Sequence, residues 1–244
     1  GDISLYVHIP FCEQICWYCG CNTSAANRRD RLESYLEALS REIALVGGRL
    51  GNSARVRRIA FGGGSPNAIT PTDFVRLADA LTVHFHLADP SWSVEIDPRR
   101  MGSGWGPVLG AVGVSMASLG VQTFSPDLQK AIGRVQPDEQ IVETTAILRK
   151  AGVTSLNFDL MYGLPGQTWG DLEASLARSV ELGADRLAVF GYAHVPHIVP
   201  RQKRIDASNL PDQAERFAMA ASTYDFLTAK GYVPVGFDHF ALPG

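Results

Sequence analysis

The sequence has no cysteine after Cys21, no marked excess of either charge and no long aliphatic run. Each absence excludes something. All four cysteines fall between Cys12 and Cys21, whereas a secreted disulfide scaffold spreads its thiols to staple distant segments. Thiols packed this closely read instead as a metal or cluster site in a reducing compartment, the cytoplasm. Lys plus Arg number 22 against 25 Asp plus Glu, a net charge of −3, which excludes the broad basic footprint of a nucleic-acid binder. The stretch from Met101 to Pro126 carries no charge, but its six glycines, Pro107 and Gln122 make a poor membrane span. It reads as a buried helix and strand. The chain opens Gly1-Asp2-Ile3, without Met and without the basic-then-apolar signature of a secretion signal. It is expected to be cut from something longer. The Gly-x-Ser-x-Gly and His-Glu-x-x-His hydrolase signatures are also missing. What remains is a chain of 244 residues, 45% hydrophobic and 19% charged, long enough to bury a core without disulfides or metal.

Apolar, β-branched runs alternate with amphipathic stretches along the whole length. Strands are predicted at Ile3–Ile9, Val56–Phe61, Trp92–Ile96, Val114–Val121, Ser155–Met161 and Arg186–Tyr192. Leu32, Tyr35, Leu36, Leu39, Ile43 and Val46 are spaced by threes and fours and predict one buried helix face. Leu172, Leu176 and Val180 predict a second helix, and Phe217, Ala221, Tyr224 and Leu227 a last one. Thr70-Pro71-Thr72-Asp73 and Thr168-Trp169-Gly170-Asp171 carry helix-start signals, the latter a capping box with Asp in place of Glu. Strands alternating with helices imply βαβ units and a parallel sheet. The nearly continuous apolar strands imply that both of its faces are covered. The six units predict one winding domain over residues 1–244, and a barrel-like sheet and a doubly wound sheet both fit the pattern.

In parallel α/β folds functional residues gather at the carboxyl ends of the strands. Here those ends carry His8-Ile9-Pro10-Phe11, Gly62-Gly63-Gly64-Ser65, Glu95-Ile96-Asp97, Gly120-Val121-Gln122, Asp159 with Tyr162-Gly163-Leu164-Pro165, and Tyr192-Ala193-His194. Turn chemistry accounts for the glycines and prolines. It does not account for Glu95, Gln122 and Asp159, which lie inside apolar strands. The pattern Cys12-x3-Cys16-x2-Cys19-x-Cys21 has no distant His or Cys pair to complete a zinc site and reads as an iron–sulfur loop. Three thiolates would hold three irons and leave the fourth open to a ligand; with Cys21 as well, the site would be a closed electron carrier. Spacing alone leaves this undecided; the open iron is the expectation carried forward. The glycine strip lets the backbone approach a ligand closely, yet it lacks the Gly-Lys-Ser/Thr of a phosphate loop. Cluster and strip together suggest a small polar cofactor across the strand ends.

These residues resemble the radical S-adenosylmethionine (SAM) superfamily. Within it, the chain is similar to the oxygen-independent coproporphyrinogen III oxidase (dehydrogenase) family of heme biosynthesis. The strings carrying the resemblance are Tyr6-Val7-His8-Ile9-Pro10-Phe11-Cys12, Cys19-Gly20-Cys21-Asn22, Gly120-Val121-Gln122, Asp159-Leu160-Met161-Tyr162-Gly163-Leu164-Pro165, Tyr192-Ala193-His194-Val195-Pro196 and Asp238-His239-Phe240-Ala241. Several are shared with heme-chaperone-like relatives, the alternative reading, in which heme is bound and coproporphyrinogen is not oxidised. The resemblance implies an α/β fold, a partial (β/α)6 barrel with parallel strands. It implies a 4Fe-4S cluster on Cys12, Cys16 and Cys19 but not Cys21. It implies one SAM near Tyr6, Gly63 and Glu95, and a second near Tyr18, Gly64, Ser65, Gln122, Arg134, Asp159 and Ala193. One electron then splits SAM into methionine and a 5′-deoxyadenosyl radical, and two propionates of coproporphyrinogen III become vinyls. An electron donor such as flavodoxin or ferredoxin, a monomer, no nucleic acid and no membrane span complete the expectation. Two departures stand out: Ser65 where Thr is usual and Gly191 where Asn is usual. Arg28, Arg29, Arg99, Arg100, Arg201, Lys203 and Arg204 are candidates to meet the substrate's propionates.

Overall fold

Each of the six apolar runs forms a strand, with helices between them, in a computed structural model that describes residues 1–51 and 53–244. The strands are β1 (Asp2–Ile9), β2 (Phe11–Cys12), β3 (Ser24–Ala25), β4 (Arg55–Gly63), β5 (Leu87–Ile96), β6 (Val114–Gln122), β7 (Ser155–Tyr162), β8 (Arg186–Gly191), β9 (Val233–Gly236) and β10 (His239–Ala241). The helices are α1 (Arg29–Leu50), α2 (Pro71–His84), α3 (Trp105–Val112), α4 (Pro126–Ala131), α5 (Asp138–Lys150), α6 (Trp169–Glu181) and α7 (Gln213–Ala229). Eight strands hydrogen-bond in the order β1-β4-β5-β6-β7-β8-β10-β9, while β2 and β3 form a separate short ladder beside the cysteines. The β1–β4, β4–β5 and β7–β8 pairs are parallel. The final β9–β10 pair is antiparallel and joins β8 through β10. It escaped the sequence pattern because β9 is exposed along its whole length and β10 has only three residues.

Contacts divide the chain into two compact units. The first comprises Gly1–Ile15, Cys21–Ala117 and Ile147–Thr154; the second Cys16–Gly20, Ser118–Ala146 and Ser155–Gly244. In the first, β1, β4 and β5 pack on α1 and α2 around Phe61, Phe74 and Trp105, whose rings meet at 4.7 Å and 5.5 Å between centroids. In the second, Leu156, Phe158 and Leu160 of β7 are buried together with Leu172 and Leu176 of α6. The helix-start signals work as expected. Thr70 accepts from the Asp73 N–H, and Thr168 and Asp171 complete a reciprocal capping box.

Two expected burial patterns are corrected. On α1 the buried residues are Ile43 and Gly47, while Val46 is exposed. At Gly47 a Cβ would collide with the backbone of His84, so the close crossing over α2 turns the buried stripe by one residue. On α7 the buried residues are Met219, Thr223 and Leu227; Phe217 is 76% exposed and Tyr224 is exposed too. Nor are both sheet faces covered throughout, since β1 alternates between exposed and half-buried residues along most of its length. Among the described residues no helix is long and apolar enough to cross a membrane.

Candidate functional site

In the first unit the chain leaves β1 at Ile9 and enters the cysteine segment through the β2–β3 ladder. That ladder is closed by the Ser24 N–H on the Pro10 carbonyl and the Ala26 N–H on the Cys12 carbonyl, both at 2.8 Å. Cys12 Sγ accepts a hydrogen bond from Thr23 Oγ1 at 3.2 Å, and Cys21 is exposed. The glycine strip at the end of β4 lies in register with β1, Gly62 opposite His8 and Gly63 opposite Ile9. A Cβ on Gly62 would sit 2.5 Å from the Glu95 carboxylate. On Gly63 it would sit 2.6 Å from the His8 ring, and on Gly64 2.6 Å from the Phe11 carbonyl. The protein's own packing therefore demands the glycines, whatever ligand they also face. Ser65 is buried, with its hydroxyl donated to Asn67 Oδ1 at 2.6 Å, so it presents backbone rather than hydroxyl. Tyr6 is 59% exposed, its hydroxyl 3.4 Å from His8 Nδ1.

Glu95 accepts the Gly63 N–H at 3.1 Å. Its side chain opens at the strand end, yet enough protein surrounds the carboxyl to raise its pKa, with the Gly63 N–H and His8 opposing the rise. A raised folded-state pKa means that the ionised carboxylate costs stability, a cost that appears as pH climbs through the folded pKa. Glu95→Gln is therefore expected to raise the thermal midpoint at neutral pH while weakening any cation or hydroxyl that the carboxylate holds. Thermal melts at acidic and neutral pH check this: the gain should vanish at the acidic end.

The basic residues near this loop are engaged. Arg99 forks onto Asp97 at 3.0 Å and 2.7 Å, with both side chains largely buried, and also donates to the Gln14 side chain and carbonyl. Arg100 pairs with Glu13. Together they tie the segment between Cys12 and Cys16 to the end of β5.

In the second unit Cys16 is buried and Arg134 Nη1 donates to its sulfur at 3.2 Å. Arg134 is itself buried, not a surface helix-end charge; it also donates to the Gly120 carbonyl and, at 3.2 Å, to Gln136. Tyr18 hydrogen-bonds Cys16, and burial pushes its hydroxyl well above the usual tyrosine range, opposed by the Arg134 cation. Gln122 ends β6 with a φ of 68°. That left-handed backbone is unfavourable for a residue with a side chain, and such strain persists where the surroundings over-determine it, often at functional positions. Asp159 accepts from Ser118 Oγ at 2.9 Å and Asn157 Nδ2 at 2.8 Å. The hydroxyl partner that a carboxylate inside an apolar strand requires is thus Ser118. Ala193 is exposed just beyond β8. At Gly191 a Cβ would meet Arg216 Nη2 and the Tyr162 hydroxyl at 3.0 Å; in this chain those groups occupy the room.

Sequence reasoning missed the buried glutamines. Gln202, 2% exposed, donates to the Tyr18 and Ala193 carbonyls at 3.0 Å each and accepts the Val195 N–H. Gln129, Gln136 and Gln167 likewise serve backbone groups at strand ends. The glutamine amide suits this work because it both donates and accepts.

Among the described residues no three or more His, Cys, Asp or Glu side chains form a finished metal cage. The chemistry of the donor set nevertheless fits an iron–sulfur cluster. Soft sulfur donors share one short segment, and Thr23 and Arg134 donate hydrogen bonds to two of them, which fixes the position of those sulfurs.

Comparison with known proteins follows the same lines. Residues 6–178 match the radical SAM superfamily. The chain is 43% identical over 244 residues to the oxygen-independent coproporphyrinogen III oxidase of Bradyrhizobium diazoefficiens, covering 100% of this chain and 54% of that relative. To the Escherichia coli K12 protein of the same name it is 39% identical over 246 residues, covering 99% and 53%. The solved coproporphyrinogen III oxidase from Escherichia coli, described as a radical SAM enzyme, superposes with a TM-score of 0.94 at 38% identity, covering 98% of this chain and 55% of that one. Streptococcus suis SuiB bound to precursor peptide SuiA gives a TM-score of 0.61 at 16% identity, over 93% and 46% of the two chains, a likeness of fold alone. The chain spans about half the length of the relatives it matches.

Proposed function

The chain belongs to the radical SAM superfamily, and from that premise we propose that it is the cofactor-bearing part of an oxygen-independent coproporphyrinogen III oxidase. The observation that carries the reading is the Cys12-x3-Cys16-x2-Cys19 loop after β1, set in 43% identity along the whole chain to a relative of that name. In this proposal Cys12, Cys16 and Cys19 hold a 4Fe-4S cluster. When bound there, the cluster supplies the electron that cleaves SAM and so gives access to radical hydrogen abstraction. Glu95, Tyr6 and Gly63 face the first SAM. Their role is supported by the Glu95 carboxylate, exposed at the strand end and set against the Gly63 N–H. Tyr18, Gly64, Ser65, Gln122, Arg134, Asp159 and Ala193 serve the second, with Ser65 and Ala193 acting through their backbone. Arg134 keeps the Cys16 sulfur and the end of β6 in fixed relation. The substrate is coproporphyrinogen III. Each of two propionates would give up a hydrogen atom to the 5′-deoxyadenosyl group and lose carbon dioxide and one electron, the electron passing to an external acceptor, to become a vinyl of protoporphyrinogen IX; a flavodoxin- or ferredoxin-like donor would supply the electron for SAM cleavage to a cytoplasmic monomer.

Anaerobic reconstitution with iron, sulfide, SAM and a strong reductant tests the reading. Methionine and 5′-deoxyadenosine are the expected products of residues 1–244, formed slowly and without carbon dioxide from labelled coproporphyrinogen III; a protein extended to the full length of the relatives should release it. No 5′-deoxyadenosine would overturn the SAM reading; heme binding without carbon dioxide release by the extended protein would overturn the oxidase reading in favour of a heme-handling relative. Asp159→Asn sharpens the assignment of the second SAM. Its new NH2 confronts the Asn157 Nδ2 donor and loses the charge that Ser118 supports. The expected result is a lower ratio of bound SAM per cluster, by about one SAM, with cleavage of the first retained. An unchanged ratio would return Asp159 to a purely structural role.

A further inference from the structure

Four of the seven basic candidates are accounted for by acids of the protein itself. Arg28 pairs with Asp30, Arg29 with Glu33, Arg99 with Asp97 and Arg100 with Glu13. The other three, Arg201, Lys203 and Arg204, share the single turn Pro200–Arg204. Among the described residues none of the three side chains has an ion-pair or hydrogen-bond partner. The nearest acid along the chain, Asp206, is occupied by the Ser208 N–H at 2.9 Å and the Ser208 hydroxyl at 2.7 Å. Arg201 is the most telling of the three, because its Nη1 is buried with no acceptor. A buried guanidinium nitrogen without a partner is costly, and native proteins rarely keep one without a reason. The turn cannot swing away to relieve the cost. Gln202, between Arg201 and Lys203, anchors it to the Tyr18 and Ala193 carbonyls at 3.0 Å. Three like charges are therefore held together, unneutralised, beside the loop that leaves β8.

We propose that Arg201, assisted by Lys203 and Arg204, is the binding site for carboxylate groups of the substrate. The inference rests on the coproporphyrinogen reading, because a ligand with four propionates must place its carboxylates against cations. A planar guanidinium fork matches a carboxylate in two-point geometry, and the two exposed neighbours add longer-range attraction. The methionine carboxylate of SAM is the one other bound carboxylate that this chemistry could take, and the test separates the two.

Fluorescence titration of the cluster-loaded protein with coproporphyrin III, the air-stable oxidised form, reads the porphyrin arm. Equilibrium dialysis with labelled SAM reads the other. R201Q is expected to weaken coproporphyrin III binding about tenfold, the equivalent of one charge-assisted hydrogen bond, with SAM binding unchanged. R201K should recover part of the loss. The double variant K203Q/R204Q, at exposed positions where folding is not at stake, should weaken binding several-fold and flatten its salt dependence. Parent-like affinity in either R201Q or the double variant overturns the site while leaving the coproporphyrinogen reading standing. Loss of SAM binding with porphyrin affinity intact in R201Q assigns the carboxylate to SAM and also overturns the site as stated. If the parent protein does not bind coproporphyrin III, the functional reading fails and the site fails with it.

Discussion

Cys16→Ala is expected to leave the protein without iron and without SAM cleavage, whereas Cys21→Ala keeps both. Cys16 is buried and its sulfur is held in place by the Arg134 guanidinium, which fixes its position for a metal. Cys21 is exposed, two residues beyond Cys19, whereas Cys16 is buried. Cys12→Ala and Cys19→Ala should match Cys16→Ala, because each thiolate would hold a different iron and a cluster missing one corner does not survive. Iron and sulfide content, the brown absorbance of the reconstituted protein and 5′-deoxyadenosine yield are the measurements. Equal loss in Cys21→Ala and Cys16→Ala would mean that all four thiols close the cluster and that no iron is left for SAM.

Gln202→Met should cost about 3 kcal/mol or more, although it preserves side-chain volume. It strips hydrogen bonds from the Tyr18 carbonyl, the Ala193 carbonyl and the Val195 N–H, and each buried backbone group left unsatisfied costs about 1–3 kcal/mol. For a chain of this size that corresponds to a fall in Tm of roughly 10 °C. Thermal unfolding of the metal-free protein measures it without interference from the cluster. Retained cluster binding at low temperature with a lowered Tm is the expected pattern. A Tm within a degree or two of the parent would show that water replaces the amide.

Local chemistry explains why much of the fold could be read in advance. β-branched runs made strands, Thr70 and Thr168 began helices as capping rules require, and the uncharged stretch from Met101 became α3 and β6. The errors came where packing overrode periodicity. The α1 face turned because Gly47 lets the helix close on His84, and the α7 stripe of Phe217 and Tyr224 faces outward although its spacing suits a buried face. At the site, the glycine strip was visible, but its reason was not: His8, Glu95 and the Phe11 carbonyl fill the space that side chains would need.

The sequence by itself determined the thiol loop, its place after the first strand and the family to which the chain belongs, because ligands separated by three and two residues are a property of the chain alone. Only the tertiary structure decided which basic residues are neutralised by the protein's own acids and which have no such partner among the described residues. A run of arginines looks the same in sequence whether an acid faces it, as Asp97 faces Arg99, or nothing does, as at Arg201. Only the fold could disclose Gln202, whose partner Tyr18 lies 184 residues away. A single uncharged amide carries no periodicity or motif, and its value arises only when distant backbone groups converge on it in a space closed to water.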